Sequence, residues 1–364
     1  MPKKKPAPKE HATPLTHGAI GLPFVTIDDF NNETKDKDGF IGDKANKKIF
    51  QVKLDEWRKL VRKTGNDPMG EPPTKDLSKK KIDGFLMGDD IRASALVISA
   101  VDDFAREFAE VIKKYLKEKS WAKTERIVVG GGFRQSRFGE LVIARTELLL
   151  KADGVDINVV PIVHHPDKAG LIGSLYLMPS WMLKGHNAIL AVDIGGTNVR
   201  AGVVEFGRPT LPQLEEANVH DTLLWRHADD KPSRTATIQR LVGMLQELID
   251  TAHKKKLKLA PMIGIACPGV IRPDGSIDRG GQNLPGGNWE SDHFNLPIAL
   301  MEAIPTIGDH TTFVMMHNDG VVQGLSQIPF MTDVSRWAVL TIGTGLGNAR
   351  FTNRELLETP AQQD

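Results

Sequence analysis

Residues 188–206 read Ala-Ile-Leu-Ala-Val-Asp-Ile-Gly-Gly-Thr-Asn-Val-Arg-Ala-Gly-Val-Val-Glu-Phe. An apolar β-type run, Ala188 to Val192, ends in Asp193. A tight turn of Gly195, Gly196, Thr197 and Asn198 follows, and a second β run, Val199 to Phe206, returns. Two strands about a small-residue turn predict a hairpin. Glycines let backbone N–H groups approach a phosphate with no Cβ in the way, and Thr197 and Asn198 add side-chain donors. Asp193 at the strand end is placed to hold Mg²⁺ through water. Gly-Gly turns also close ordinary hairpins. The acid at the strand end, the threonine in the turn and Arg200 in the return strand turn the reading towards phosphate.

A second turn of this kind closes the sequence. Trp337 to Ile342 is a β-type run that leads to Gly343-Thr344-Gly345-Leu346-Gly347, and Asn348 to Thr352 returns. Between the two hairpins, Thr235 to His253 carries apolar residues at helical spacing. Ile263 to Ala266 is a buried-type strand that enters Cys267-Pro268-Gly269. A polar loop then ends Asn283-Leu284-Pro285-Gly286-Gly287-Asn288-Trp289, and long polar loops beside apolar strands often carry binding groups. Thr312 to Met316 delivers His317-Asn318-Asp319-Gly320.

The first half has its own glycine run. Val97, Val101, Phe104, Phe108, Val111 and Tyr115 predict a helix over 90–118. Arg126 to Val129 then enters Gly130-Gly131-Gly132, and a helical pattern runs from Phe138 to Leu150. A strand, Ile157 to Val163, precedes Ala169-Gly170-Leu171-Ile172-Gly173-Ser174, which opens another helix. A strand, a glycine run and a helix suit a nucleotide, and they equally suit a plain strand-to-helix turn. Upstream, Phe24 to Ile27 predicts a short strand and Ile49 to Val61 a helix; the charged stretch 31–83 receives no function.

The Asp193–Gly202 stretch resembles the first phosphate motif of the ROK family (repressors, unknown proteins and sugar kinases), within the hexokinase, actin and Hsp70 superfamily. The resemblance extends to Val128–Gly132, similar to the family's adenosine-contacting strand and loop, and to Ala169–Ser174, similar to the helix that closes the family's chain. It also extends to Asn283 in the sugar loop, to Asn318-Asp319, and to Gly343–Gly347 as the second phosphate motif. It implies an α/β, two-lobed actin-like ATPase (ribonuclease H-like) fold. It implies a cytoplasmic, ATP-dependent sugar kinase of glucokinase-like type. ATP would contact Gly130, Gly131, Gly132, Gly195, Gly196, Thr197, Asn198, Gly343, Thr344 and Gly345, with Mg²⁺ near Asp193. Asp319 would be the catalytic base, and Asn283, Asn318 and Asp319 would hold the sugar. A homodimer is the oligomeric expectation.

The order of motifs departs from the family's. The family runs phosphate 1, base, phosphate 2, adenosine; this chain puts the adenosine segment first, the order of a circular permutant. His17-Gly18-Ala19-Ile20-Gly21-Leu22 resembles the family's Ala-Gly-Glu-Ile-Gly-His. Ala19 then replaces a sugar-binding Glu, and Leu22 a zinc- and sugar-binding His. His317 and Gly320 also depart from the family's Glu-Asn-Asp-Ala, and Gly287-Asn288 are extra before Trp289. The family's Cys-rich zinc loop has no counterpart, so no structural zinc is expected. A non-catalytic ROK protein that senses a sugar or nucleotide is the first rival reading, and an ATPase related to actin or Hsp70 the second.

Composition sets the bounds. The 364 residues suit two domains, and 40% hydrophobic with 26% charged residues is ordinary for a globular chain. A net charge of +1 gives no electrostatic case for nucleic acid. No apolar run reaches the roughly 18–20 residues of a membrane span. The opening Met-Pro-Lys-Lys-Lys-Pro-Ala-Pro-Lys has no apolar stretch behind it, which reads as a cytosolic start. The single cysteine, Cys267, excludes an internal disulfide. The expected organisation is a Lys- and Pro-rich tail (1–16), a large-lobe segment (17–178), a linker (179–187) and a small lobe (188–325). Residues 326–364 complete the large lobe.

Overall fold

The computed structural model describes residues 16–207, 217–282 and 284–354, the side chain of Ser180 apart. The expected tail up to residue 15, Asn283 and the stretch from 355 lie outside the described residues. The fold is mixed α/β. Ten strands build its two large sheets: β1 (Val25–Phe30), β2 (Arg126–Gly130), β3 (Asn158–Pro161), β4 (Ala188–Ile194), β5 (Val199–Glu205), β6 (Asn218–Trp225), β7 (Leu259–Cys267), β8 (Phe313–Asn318), β9 (Arg336–Ile342) and β10 (Leu346–Asn353). The main helices are α1 (Lys47–Arg62), α2 (Lys79–Met87), α3 (Ile91–Lys117), α4 (Arg137–Ala152), α5 (Pro166–Gly173), α6 (Arg234–Lys254), α7 (Leu296–Ala303) and α8 (Asp319–Leu325).

One sheet has the order β6-β5-β4-β7-β8, with β4, β5 and β6 an antiparallel meander and β7 and β8 parallel to β4. The other has the order β1-β10-β9-β2-β3, with β1, β10 and β9 antiparallel and β2 and β3 parallel to β9. Counted from Ala188, the first sheet reads 3-2-1-4-5. The second reads the same only when counted from Arg336 to the end of the chain and onward from Val25. Residues from both ends of the sequence thus form one sheet. Arg354 donates from its backbone to Phe24 O at 2.9 Å and from its guanidinium to Leu22 O at 2.9 Å.

Strand alternation explains the layers. In β4, Leu190 and Val192 face α6 and α7, whereas Ile189 and Ala191 face the space between the sheets. In β2, Ile127 and Val129 face α1, α3 and α4, whereas Val128 faces the same central space. That space holds α5 and α8. The two helices cross so closely that a Cβ on Gly173 would stand 1.7 Å from Val322 O. Only glycine allows this approach.

Most elements lie where periodicity puts them. The helix expected in 90–118 is Ile91–Lys117, capped by Asp90, whose carboxylate accepts from Arg92 N and Ala93 N. Ile49–Val61 is the interior of Lys47–Arg62, which Asn46 caps. Four of these elements were not expected: β6, an edge strand in which only Val219 is buried, α2, a short helix that begins in Lys79-Lys80-Lys81, and the helices α7 and α8. The linker segment 179–187 contains a 3₁₀ turn, and its Leu183 is fully buried.

Candidate active site

The site is built where β4, β7 and β8 end against α5 and α8. Asp193 lies opposite Ala266 of β7 and Arg200 of β5. It is 5% exposed. The Arg200 guanidinium approaches it at 3.9 Å and forms its closer ion pair, at 2.6 Å, with Asp167 on the first turn of α5. Gly170 of α5 lies against it: a Cβ there would be 3.0 Å from the Asp193 carboxyl carbon. Burial pushes the Asp193 carboxyl up to about 6, with Arg200 opposing and the charges of Asp319 and Asp167 adding to the rise.

The turn that follows is tied to its neighbours by backbone. Gly195 N donates to Asn198 O at 2.8 Å. His227 Nε2 bonds Gly195 O at 2.8 Å, and Ala228 N donates to Thr197 O at 3.2 Å. A carbonyl only accepts, so His227 carries its proton on Nε2. Gly196, His227, Lys231, Pro285 and Gly286 line one hollow, so residues 285–286 lie beside the 195–198 turn.

Asp319 is the first residue of α8. Its carboxylate accepts from Gly320 N at 2.9 Å, and burial holds its pKa above the ordinary carboxylate value. Asn318 is 3% exposed and already engaged. Its Oδ1 accepts from Val321 N at 3.2 Å, capping α8, and its Nδ2 donates to Gly269 O at 2.9 Å. The role the sequence suggested, a sugar contact, would have to use the remaining N–H and lone pair of that amide.

The two other glycine segments meet one another. Gly131 adopts φ 82°, and a Cβ there would stand 2.5 Å from Ile342 O, one residue before Gly343. Gly343 N donates to Gly345 O at 2.9 Å across the turn, and Gly343 O accepts from Lys47 N at 3.1 Å. Gly320 lies against Asn348, on the strand returning from that turn. Gly130–Gly132, Gly343–Gly345 and Asp319 are therefore neighbours. Asp193 stands level with Ala266 of β7, which pairs in turn with His317 of β8, two residues before Asp319.

The segment 17–22 runs beside β8. Gly18 N donates to Met316 O at 3.1 Å, and Met316 N donates to His17 Nδ1 at 3.1 Å. His317 Nε2 bonds Ala19 O at 3.2 Å, and burial holds this imidazole down at about 4. Leu22 is core. Sequence reading did not find Asp167, His227 or Lys79, the last of which bonds Gly132 O. None sits in a motif. A lysine run in an unassigned region and an aspartate after proline give no local signal for contacts made across distant sequence.

A magnesium ion is implied by the resemblance. Among the described residues no group of three His, Cys, Asp or Glu side chains is gathered to hold a metal ion directly; Asp193, buried and 3.9 Å from the Arg200 guanidinium, is the carboxylate that would meet the ion through water. Among the described residues, no helix is long and apolar enough to cross a membrane.

No protein-family model matches the chain, and no curated protein matches it. Solved structures do. A protein assigned as a sugar kinase from Cytophaga hutchinsonii is 18% identical over 46% of this chain and 48% of its own, with a TM-score of 0.33. One assigned as an N-acetylmannosamine kinase from Listeria monocytogenes is 26% identical over 48% and 50%, with a TM-score of 0.32. The ROK hexokinase from Thermus thermophilus is 18% identical over 48% and 49%, with a TM-score of 0.31. The chain spans about half the length of these sugar-kinase structures.

Proposed function

We propose that the chain is an ATP-dependent sugar kinase of the ROK type, in a circularly permuted actin-like fold. Its lobes would be 17–178 with 326–354, and 188–325. The observation that carries the reading is the pair of sheets with one strand order, each presenting a Gly/Thr turn near Asp319. A chain that reaches the same strand order through its joined ends is what permutation of a two-lobed kinase would leave.

ATP would sit with its phosphates between the turns 195–198 and 343–345, and its adenosine at Gly130–Gly132. Asp193 would hold Mg²⁺ through water; when bound, the ion supplies charge neutralisation on the phosphates. Asp319 would accept the proton of the attacking sugar hydroxyl. A carboxylate is a weak base, but phosphoryl-transfer transition states are loose and the proton leaves late. Positioning and fixed charge then supply most of the acceleration. Gly320 N, bonded to Asp319, fixes the direction of the carboxylate. Water must be excluded from the hydroxyl's place, or ATP is hydrolysed.

A second reading, binding without turnover, is favoured by one observation. Ala19, at the place of the family's sugar-binding Glu, presents only its carbonyl, and that is taken by His317; Leu22 is buried. A coupled ADP-release assay with a panel of hexoses separates the readings. Sugar-dependent ADP release is expected. ATP binding with no release on any sugar would favour the sensor, and sugar-independent release an ATPase.

A further inference from the structure

We propose that Lys79, with Lys47 beside it, binds the phosphate chain of the nucleotide, supplied by the 31–83 region to which the sequence assigned no role. This rests on the nucleotide reading of the site. The Lys79 ammonium donates to Gly132 O at 2.5 Å and to Gln135 Oε1 at 2.9 Å. Both belong to the loop that leaves β2 and packs on Ile342. An ammonium has three N–H donors, so one donor and the whole charge remain unmatched. Among the described residues, neither Lys79 nor Lys47 has a carboxylate within ion-pair distance. Other lysines of this lobe are paired: Lys44 and Lys114 with Asp36, Lys113 with Asp153.

The placement of Lys79 is built. Ser78 caps α2, accepting from Lys81 N at 3.2 Å. One turn further on, Asp83 accepts from Arg137 N and Phe138 N at 3.0 Å each, which fastens α2 to the start of α4. Lys79 and Asp83 are four apart and share a helix face, so the anchor that Asp83 makes holds Lys79 over the glycine loop. Lys47 stands at the start of α1, where its backbone N–H bonds Gly343 O at 3.1 Å. The two like charges act on each other, and burial holds the Lys79 ammonium below its usual range. Asp167 is the acid that acts on Lys79 most strongly, but it is ion-paired to Arg200. A half-buried cation held on the glycine loop 130–132, which itself packs on Ile342 beside Gly343, with no carboxylate in ion-pair distance, suits an anion that arrives from outside. The plainer role, pinning the loop 132–135, would not need the charge to stay uncompensated.

The test measures equilibrium binding of Mg-ATP and of adenosine by the full chain, its K79Q and K79R variants, and K47Q. The wild-type chain should bind both ligands. K79Q should weaken ATP about tenfold or more and leave adenosine within twofold, K79R should lose little, and K47Q should show a smaller loss confined to ATP. A loop-pinning role would weaken ATP and adenosine alike in K79Q, which overturns the proposal, as does unchanged ATP binding. Absence of ATP binding by the wild-type chain overturns the nucleotide reading itself and this with it. The same question is answered without a variant by acylating the native protein and following Lys79 by mass spectrometry. ATP, and not adenosine, should protect it; a Lys79 modified equally in both is a residue that touches no phosphate.

Discussion

Asp193 and Asp319 are two carboxylates whose surroundings act in one direction: burial raises both. The consequences differ with the roles proposed for them. A base must be ionised, so turnover at low substrate should rise with pH through a midpoint above the usual carboxylate range. Asp319→Asn keeps the shape and removes the proton acceptor. We expect kcat to fall by roughly 10²–10⁴ while ATP and sugar still bind. Unchanged kcat in a steady-state assay would remove Asp319 from the mechanism. For Asp193 the linkage has a definite sign. Its folded pKa, about 6, lies above the ordinary 3.8. The folded state therefore holds the proton more tightly, and the stability this contributes is complete below 3.8 and lost as pH rises through about 6. Asp193→Asn removes a buried charge that is uncompensated without metal. Its Tm should match the wild type near pH 4 and exceed it by about 2–3 °C at pH 8, where Asp193 is ionised. Magnesium-dependent ATP binding should be lost in the same variant. A variant less stable than wild type at pH 8 would mean that the Arg200 pairing outweighs the burial cost.

The elements themselves were largely legible because their signals are local. The hairpin of β4 and β5, the long α3 and the runs that became β7, β8 and β9 announce themselves by period and by turn residues. What was not legible depends on partners far off in sequence. Strand β6 is an edge strand paired to β5 alone and half open to solvent, and α2 is fastened to the start of α4, more than fifty positions away, by Asp83. The site divides the same way. Its glycine turns and terminal acids stand in motifs, whereas Lys79, Asp167 and His227 act only through a fold that must already exist. Asn318 gives the sharpest case. The motif names it as a sugar contact, but its side chain caps α8 and fastens Gly269, a service that no motif records. The pair α5 and α8 is the element on which both halves of the site depend, since α5 supports Asp193 and α8 begins with Asp319. Gly173→Ala would drive a methyl into Val322 O and force the two helices apart. We expect a loss of at least about 3 kcal/mol, seen as a lowered urea midpoint, and a fall in activity that outruns the loss of folded protein. Wild-type stability in that variant would show that the helices can separate freely.

At the scale of the molecule, one sheet draws its strands from both ends of the chain. Arg354 reaches Phe24 and Leu22, so the described ends of that sheet are adjacent. The opposite requirement, an exposed place to open the chain, is met at Gly185. It is exposed, adopts φ 83°, and a Cβ there would touch nothing. A chain that begins at His186, runs to Asp364, continues directly into Met1 and ends at Gly185 keeps every strand pairing and every helix contact. It changes only which loop is closed, and loop closure costs little when the ends already meet. In that order the 188–206 hairpin comes first, then Asp319, the 343–347 turn and the 130–132 glycines, the order in which the family carries the motifs these resemble. We expect this rearranged protein to fold cooperatively, with a Tm within a few degrees of the parent and the same sugar-dependent ADP release. The measurement is thermal unfolding beside the coupled assay. An insoluble or molten product, while opening the chain in another exposed loop succeeds, would mean that the segment 179–187 is a structural member rather than a joint. The two sheets would then owe their common strand order to something other than permutation.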